Sequence, residues 1–141
     1  MKSLVSLIRL NKWTLEEKRR ALAALQGLRT DLVRQQNELE SEVVREQQSA
    51  KSGVEGAWTY AGYAKAVIQR RETLKRTLAD VDKRIDVARD AVNAAWREMR
   101  KYELAEERNQ ARKNADVARV ERLELDEIAL TQHRIKQGER G

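Results

Sequence analysis

The side chains that could do chemistry are few and stand far apart in this sequence. His133 is the single histidine, and it would need further ligands at suitable spacing to hold a metal ion. The preceding carboxylates, Asp126 and Glu127, lie almost two helical turns away. Acidic pairs such as Asp86 and Asp90 are predicted to lie on an exposed helix face, where nothing indicates a pocket. The chain also has no glycine-rich phosphate loop, so we expect no enzyme, no metal site and no cofactor.

The beginning of the chain and its lack of cysteine bear on its location. Without cysteine there is neither a disulfide nor a thiolate metal site. The apolar start SLVSLIRL is interrupted by Arg9 and Lys12, unlike a signal peptide or a membrane span. These features predict a cytoplasmic, soluble protein.

The net charge of +6 raises the question of nucleic-acid binding. Basic and acidic residues alternate along the whole chain, and 37% of the residues are charged. Such mixing is typical of the solvated faces of long helices, whereas a phosphate-binding surface gathers its basic residues. The charge pattern therefore favours a long helical structure over a nucleic-acid interface.

Two apolar seams with alternating steps of three and four residues predict a coiled coil. The stronger seam runs from Val67 to Tyr102 and is interrupted only by Arg71, and a weaker one runs from Leu4 to Val43. The predicted seam residues include Leu15, Leu22, Leu25, Leu32, Leu39, Leu74, Leu78, Val81, Ile85, Val92 and Met99.

Between the seams, the stretch SGVEGAWTYAGY gathers three glycines and three aromatic residues. Glycine costs about 1 kcal/mol relative to alanine inside a helix. We therefore predict a turn over residues 52–57 that joins a helix of residues 2–52 to a helix of residues 58–137. The predicted fold is all-α, a long antiparallel two-helix coiled coil that forms a single hairpin over residues 1–141.

This reversal would place Val43 near Val67 and Leu4 near Glu106. It would leave residues 107–141 as an overhanging C-terminal helix, where apolar residues return on more than one face after a polar stretch. Such a segment is a natural site for another protein, or else a frayed tail. The three-four spacing also continues through the predicted turn, so a parallel dimer of continuous helices is the rival architecture.

The two terminal stretches, SLVSLIRLNKWTLEEKRRALAAL and RLELDEIALTQHR, resemble the FliJ family of bacterial flagellar export proteins. The resemblance covers nearly the whole chain. It implies a non-enzymatic component of the flagellar type III secretion apparatus, similar to the central stalk of rotary ATPases and needed for motility and chemotaxis. The implied partners are the export ATPase hexamer, the cytoplasmic domain of the membrane export gate, and export chaperones. The implied location is cytoplasmic and peripheral to the inner membrane, held there by protein partners.

The resemblance also suggests where the partners bind. We expect the open end of the hairpin to contact the ATPase ring and the glycine-rich tip to face the export gate. The expected ATPase-contact residues are Ile8, Arg9, Lys12, Trp13, Leu125, Ile128 and Arg134, and the expected gate-contact residues are Trp58, Tyr60 and Tyr63. Two alternatives remain: a coiled-coil adaptor or scaffold outside export, and a nucleic-acid-binding helical hairpin whose affinity would fall steeply with salt.

Overall fold

The structure is a computed structural model that describes residues 3–51 and 54–140, with side chains described for residues 3–51 and 60–139. Within these ranges the chain forms two helices, α1 (Leu4–Ala50) and α2 (Val54–Arg140), and no strand. The helices pack against each other, which confirms the predicted all-α hairpin.

A serine cap sets the beginning of α1. The Ser3 hydroxyl oxygen accepts a hydrogen bond from the Ser6 backbone N–H at 3.2 Å, and the Ser3 carbonyl accepts one from the Leu7 N–H at 3.0 Å. Serine is favoured at this position because it satisfies an N–H that the helix itself leaves unpaired. The helix therefore begins at Leu4, two residues later than the predicted bound.

The second helix begins earlier than the sequence predicted. α2 starts at Val54, within the predicted turn of residues 52–57, and it ends at Arg140. Gly56 and Gly62 weaken the helix by about 1 kcal/mol each, but they keep their backbone N–H groups and so do not break it as proline would. Ser52 and Gly53, the first two residues of the predicted turn, lie outside the described residues.

The chain divides into two compact units. The hairpin unit consists of Lys12–Arg97, and the terminal unit consists of Met1–Asn11 together with Glu98–Gly141. Both α1 and α2 therefore contribute to each unit.

The core of the hairpin unit is a narrow apolar seam. Every predicted seam residue of this unit is buried or half-buried, because the three-four spacing keeps these positions on one face of each helix. The innermost cluster is Leu32, Leu74, Val81 and Ile85, with Leu22, Leu25, Leu39 and Leu78 packed against it. The seam thus holds the two arms of this unit together.

Polar side chains tie the two arms of the hairpin unit in antiparallel register. Arg29 Nε lies 2.7 Å from Asp82 Oδ1, and Arg71 Nε lies 2.6 Å from Glu40 Oε1. Two further hydrogen bonds join Arg70 to Gln35 and Gln47 to Tyr60. From Arg29 to Gln47 along α1, the partners run from Asp82 back to Tyr60 along α2, so the helices are antiparallel.

The structure agrees with the predicted pairing of Val43 with Val67. Val43 and Val67 line the same small cavity in the hairpin unit. In one continuous helix, residues 29 and 82 would lie about 80 Å apart, at 1.5 Å per residue. The alternative of continuous helices is therefore wrong.

The terminal unit has a smaller core. Met99 is buried, and Leu4, Leu7 and Ile8 are half-buried, as is Glu106. Over residues 3–51 and 54–140, no helix is apolar enough over a sufficient length to span a membrane.

Candidate functional site

The C-terminal part of α2 offers a long unpartnered surface in the terminal unit. Half-buried residues occur up to Asn109, and every residue from Gln110 to Glu139 is exposed. This segment, which we call the overhang, corresponds to about 45 Å of helix at 1.5 Å per residue. Its large apolar side chains are 47–65% exposed, and they are Val117, Val120, Leu123, Leu125, Ile128, Leu130 and Ile135. So many exposed apolar side chains are typical of a protein-binding surface.

One side of the overhang combines apolar and acidic residues. Val117, Glu121, Glu124 and Ile128 follow each other at helical spacings of four, three and four residues, so they share a face. Glu127 joins this face, because it lines a shallow cavity of about 380 Å³ with Glu124 and Ile128. We call these five residues the acidic face. In the described part of the chain, no ion pair involves its three glutamates.

The expected ATPase-contact residues of the terminal unit fall into two separate groups. Ile8 is half-buried and Arg9 is exposed near the start of α1. Leu125, Ile128 and Arg134 are all exposed on the overhang. Leu125 lies about 24 Å of helical rise beyond the last half-buried residue of α2, so no α1 side chain packs on it. The structure therefore does not bring these two groups into contact.

The other two expected ATPase-contact residues, Lys12 and Trp13, belong to the hairpin unit. Both are exposed, and Trp13 is 58% exposed. A tryptophan in this position presents a large apolar surface together with an N–H donor, which suits it to a protein interface. Lys12 adds an exposed positive charge beside it in the sequence.

Two of the three expected gate-contact residues have described side chains. The rings of Tyr60 and Tyr63 lie 6.2 Å apart between centroids and are tilted by 42°. The Tyr60 hydroxyl oxygen accepts a hydrogen bond of 3.2 Å from Gln47 Nε2. Burial, followed by the charges of Glu42 and Glu46, raises the pKa of Tyr63 above its ordinary value of 10.0. The side chain of Trp58, the third predicted residue, lies outside the described side chains.

The closest electrostatic contact between the two arms of the hairpin unit is the pair of Arg71 and Glu40. Arg71 donates two hydrogen bonds, from Nε at 2.6 Å and from Nη2 at 2.7 Å, to the two carboxylate oxygens. This bidentate geometry is the strongest that a guanidinium group offers a carboxylate. The hydrogen bonding with Arg71 lowers the pKa of Glu40 below its ordinary value of 4.5 and raises that of Arg71. The polar interruption of the predicted seam is thus a bridge to the other helix.

The structure also shows a groove in the hairpin unit that the sequence analysis missed. Its volume is about 430 Å³, and it lies between the two helices. Its apolar lining is Ala21, Leu25, Val87, Ala88 and Ala91, and its rim carries Lys18, Lys83 and Arg84. We call it the cationic groove. The signal in the sequence was the group of alanines beside the seam, where short side chains leave space between the helices.

Over the described residues there is no group of three or more His, Cys, Asp and Glu side chains placed to hold a metal ion. The described residues form a helical hairpin with exposed apolar side chains on the overhang and positive charges around the cationic groove. These features define the class of a coiled-coil interaction protein.

Family comparison makes the assignment specific. The model of the FliJ family, described as the flagellar FliJ protein, matches residues 1–138, and the chain belongs to this family. It is thus a component of the flagellar export apparatus and belongs to a non-enzymatic family within it. Comparison with curated proteins gives no match, and comparison with solved structures gives none either.

Proposed function

We propose that this protein acts as a central-stalk-like component of flagellar export. It enters the ring of the export ATPase hexamer, raises the activity of that ATPase, and connects it to the cytoplasmic domain of the membrane export gate. Membership of the FliJ family supports a role in export. The observation that carries the ATPase contact is the overhang, whose apolar residues are exposed from Val117 to Ile135.

The chemistry of the overhang suits a protein partner that surrounds or flanks a helix. Its exposed apolar side chains lie on more than one face, with Leu123 and Leu130 on a different face from Ile128. A partner that contacts one face alone would leave the others in water. A ring lumen offers protein surface on several sides, so it can bury more of this apolar surface.

We place the ATPase contact at the residues expected from the sequence. Trp13 and Ile128 are two of the large exposed apolar side chains among them, at 58% and 54% exposed. Interface energy concentrates in such residues, and their truncation commonly costs about 2 kcal/mol or more of binding free energy, roughly thirtyfold in affinity. Ile8, Arg9, Lys12, Leu125 and Arg134 complete the proposed contact.

The test measures stimulation of the purified export ATPase by the Trp13→Ala and Ile128→Ala variants. We expect each variant to need about thirtyfold more protein for half-maximal stimulation. Trp96→Ala and Ile68→Ala are matched controls, because these side chains are also exposed but lie outside the proposed contact. Unchanged stimulation by both test variants, with helicity retained by circular dichroism, would rule this contact out.

We place the gate contact at Tyr60, Tyr63 and Trp58. The tyrosine rings offer flat amphipathic surface, of the kind that enriches protein interfaces. In the ATPase assay, Tyr60→Ala is expected to stimulate like the wild-type chain. In a separate binding measurement, the same variant is expected to lose binding to the isolated gate domain. This arrangement holds the protein at the cytoplasmic side of the inner membrane through its partners. Escort of export chaperones, and through export a contribution to motility and chemotaxis, are part of the same proposal.

A further inference from the structure

We infer that the cationic groove of one copy of this protein receives the acidic face of the overhang of a second copy. The inference shares Ile128 with the ATPase contact proposed above, but its test measures only association between copies of this chain, so it can fail or hold without changing that proposal. It rests on two exposed surfaces that every copy carries. The basic residues of the groove are opposite in charge to the glutamates of the overhang, and the small side chains of the groove leave room for the large ones of the overhang.

The groove has the form of a socket for large apolar side chains. Ala21, Ala88 and Ala91 project only a methyl group each, so a helix laid over them approaches closely. Val87, at 69% exposed, adds an apolar side chain that water now covers.

The rim of the groove carries free positive charge. Over residues 3–51 and 54–140, no ion pair involves Lys18 or Lys83. Among the described residues, Arg84 pairs only with Asp80 on its own helix, at 3.3 Å, and both side chains are largely exposed. An exposed pair of this kind is weak, so Arg84 is available to a stronger acceptor.

The overhang presents the complementary features. Ile128 provides a large apolar side chain, and Glu124 and Glu127 stand within one turn of it on the acidic face. Glu121 extends the same row toward the N-terminal side. The large side chain matches the alanine-lined socket, and the glutamates match the lysines of the rim.

A second copy is favoured over an unrelated partner because the matching surface is already present on the chain itself. Each copy offers one groove and one overhang, so the two surfaces meet at equal concentration in any solution of the protein. The charge match also guides the encounter, and it predicts association that weakens as salt rises.

The experiment is sedimentation equilibrium on the full-length chain and on two charge-reversal variants. The groove variant carries Lys18→Glu and Lys83→Glu, and the overhang variant carries Glu124→Lys and Glu127→Lys. We expect the wild-type chain to self-associate below about 0.1 mM in roughly 50 mM salt, and each variant to associate about tenfold or more weakly. An equal mixture of the two variants is expected to associate with wild-type strength, because the lysines of one then face the glutamates of the other.

A matched control keeps the result specific. Lys65→Glu with Lys75→Glu changes the net charge by the same amount as the groove variant, at exposed positions outside the groove. This control is expected to associate like wild type, and circular dichroism checks that all variants stay helical. A wild-type chain that stays monomeric, variants that associate normally, or a mixture that fails to associate would each overturn the inference. A monomeric chain would also leave the groove to a different protein.

Discussion

The seam of the hairpin unit and the overhang of the terminal unit are built from the same residue types but have different surroundings. Leu74 in the seam is 2% exposed, whereas Leu123 in the overhang is 60% exposed. Both lie in α2, and both parts of the helix mix leucine, alanine and charged residues. Composition alone therefore does not decide which leucine becomes core. The presence of a facing helix decides it, because a single helix has nothing against which to bury its apolar face.

The spacing of the apolar residues also differs between the seam and the overhang. In the seam, steps of three and four residues keep the apolar side chains in one narrow stripe, as a single partner helix requires. In the overhang, Leu123 and Leu130 lie on a different face from Val117 and Ile128. The seam thus fits a single partner helix, whereas the apolar side chains of the overhang lie on several sides of α2.

The largest difference is expected from matched leucine truncations. Leu74→Ala removes a side chain from the centre of the seam, and we expect it to lower the free energy of unfolding by about 2–4 kcal/mol. Leu123→Ala removes an exposed side chain, and we expect a change within about 0.5 kcal/mol. Urea unfolding followed by circular dichroism measures both. Equal losses from the two substitutions would mean that the overhang is packed in solution, and the contrast between the regions would be wrong.

A smaller effect is expected from glycine replacement. Gly27 lies inside α1 in the hairpin unit, and Gly138 lies near the end of the overhang. A Cβ atom added at either position would meet nothing within 4 Å. Gly27→Ala is therefore expected to raise the free energy of unfolding by about 0.5–1 kcal/mol, through better helix propensity.

Gly138→Ala serves as the matched substitution in the overhang. The end of a helix frays independently of the core, so we expect its effect on global unfolding to be within about 0.2 kcal/mol. Thermal and urea unfolding of the two variants test the pair. A clear stabilisation by Gly138→Ala would show that the overhang unfolds together with the seam.

Much of the fold could be predicted from the sequence, because the residues that pack in a coiled coil recur at a regular spacing of three and four positions. The three-four spacing identified the seam residues, and the register that pairs Val43 with Val67 followed from the position of the glycine-rich stretch. The predicted start of α2, residue 58, lies four residues after the observed start at Val54, because glycines lower helix propensity but still allow a helix to form. The ion pair of Arg71 with Glu40 could not be predicted either, because these two residues become neighbours only once the chain has folded back.

The candidate site was less accessible to sequence reasoning. The apolar residues of the overhang could be read directly, and so could the exposed Trp13. The cationic groove could not, because its lining comes from both helices and its significance lies in the short side chains of Ala21 and Ala88. A surface that depends on space between two segments appears only when their register is known in atomic detail.

The smallest expected effect separates the charges of the two regions. Glu40 is bound by Arg71 across the helices, whereas Glu124 in the overhang has no ion pair with any residue that the structure describes. The pKa of Glu40 in the folded protein lies below its ordinary value of 4.5. The Glu40 carboxylate therefore stabilises the fold fully above pH 4.5. This contribution is lost as the pH falls from 4.5 through the pKa of Glu40 in the folded protein. Glu40→Gln is therefore expected to destabilise slightly at neutral pH, with the difference from wild type disappearing in that acidic window. Glu124→Gln is expected to leave the free energy of unfolding at neutral pH unchanged, because this side chain is exposed. Urea unfolding across the pH range measures both variants, and a difference for Glu40→Gln that grows on acidification would contradict the assigned role of the Arg71 bridge.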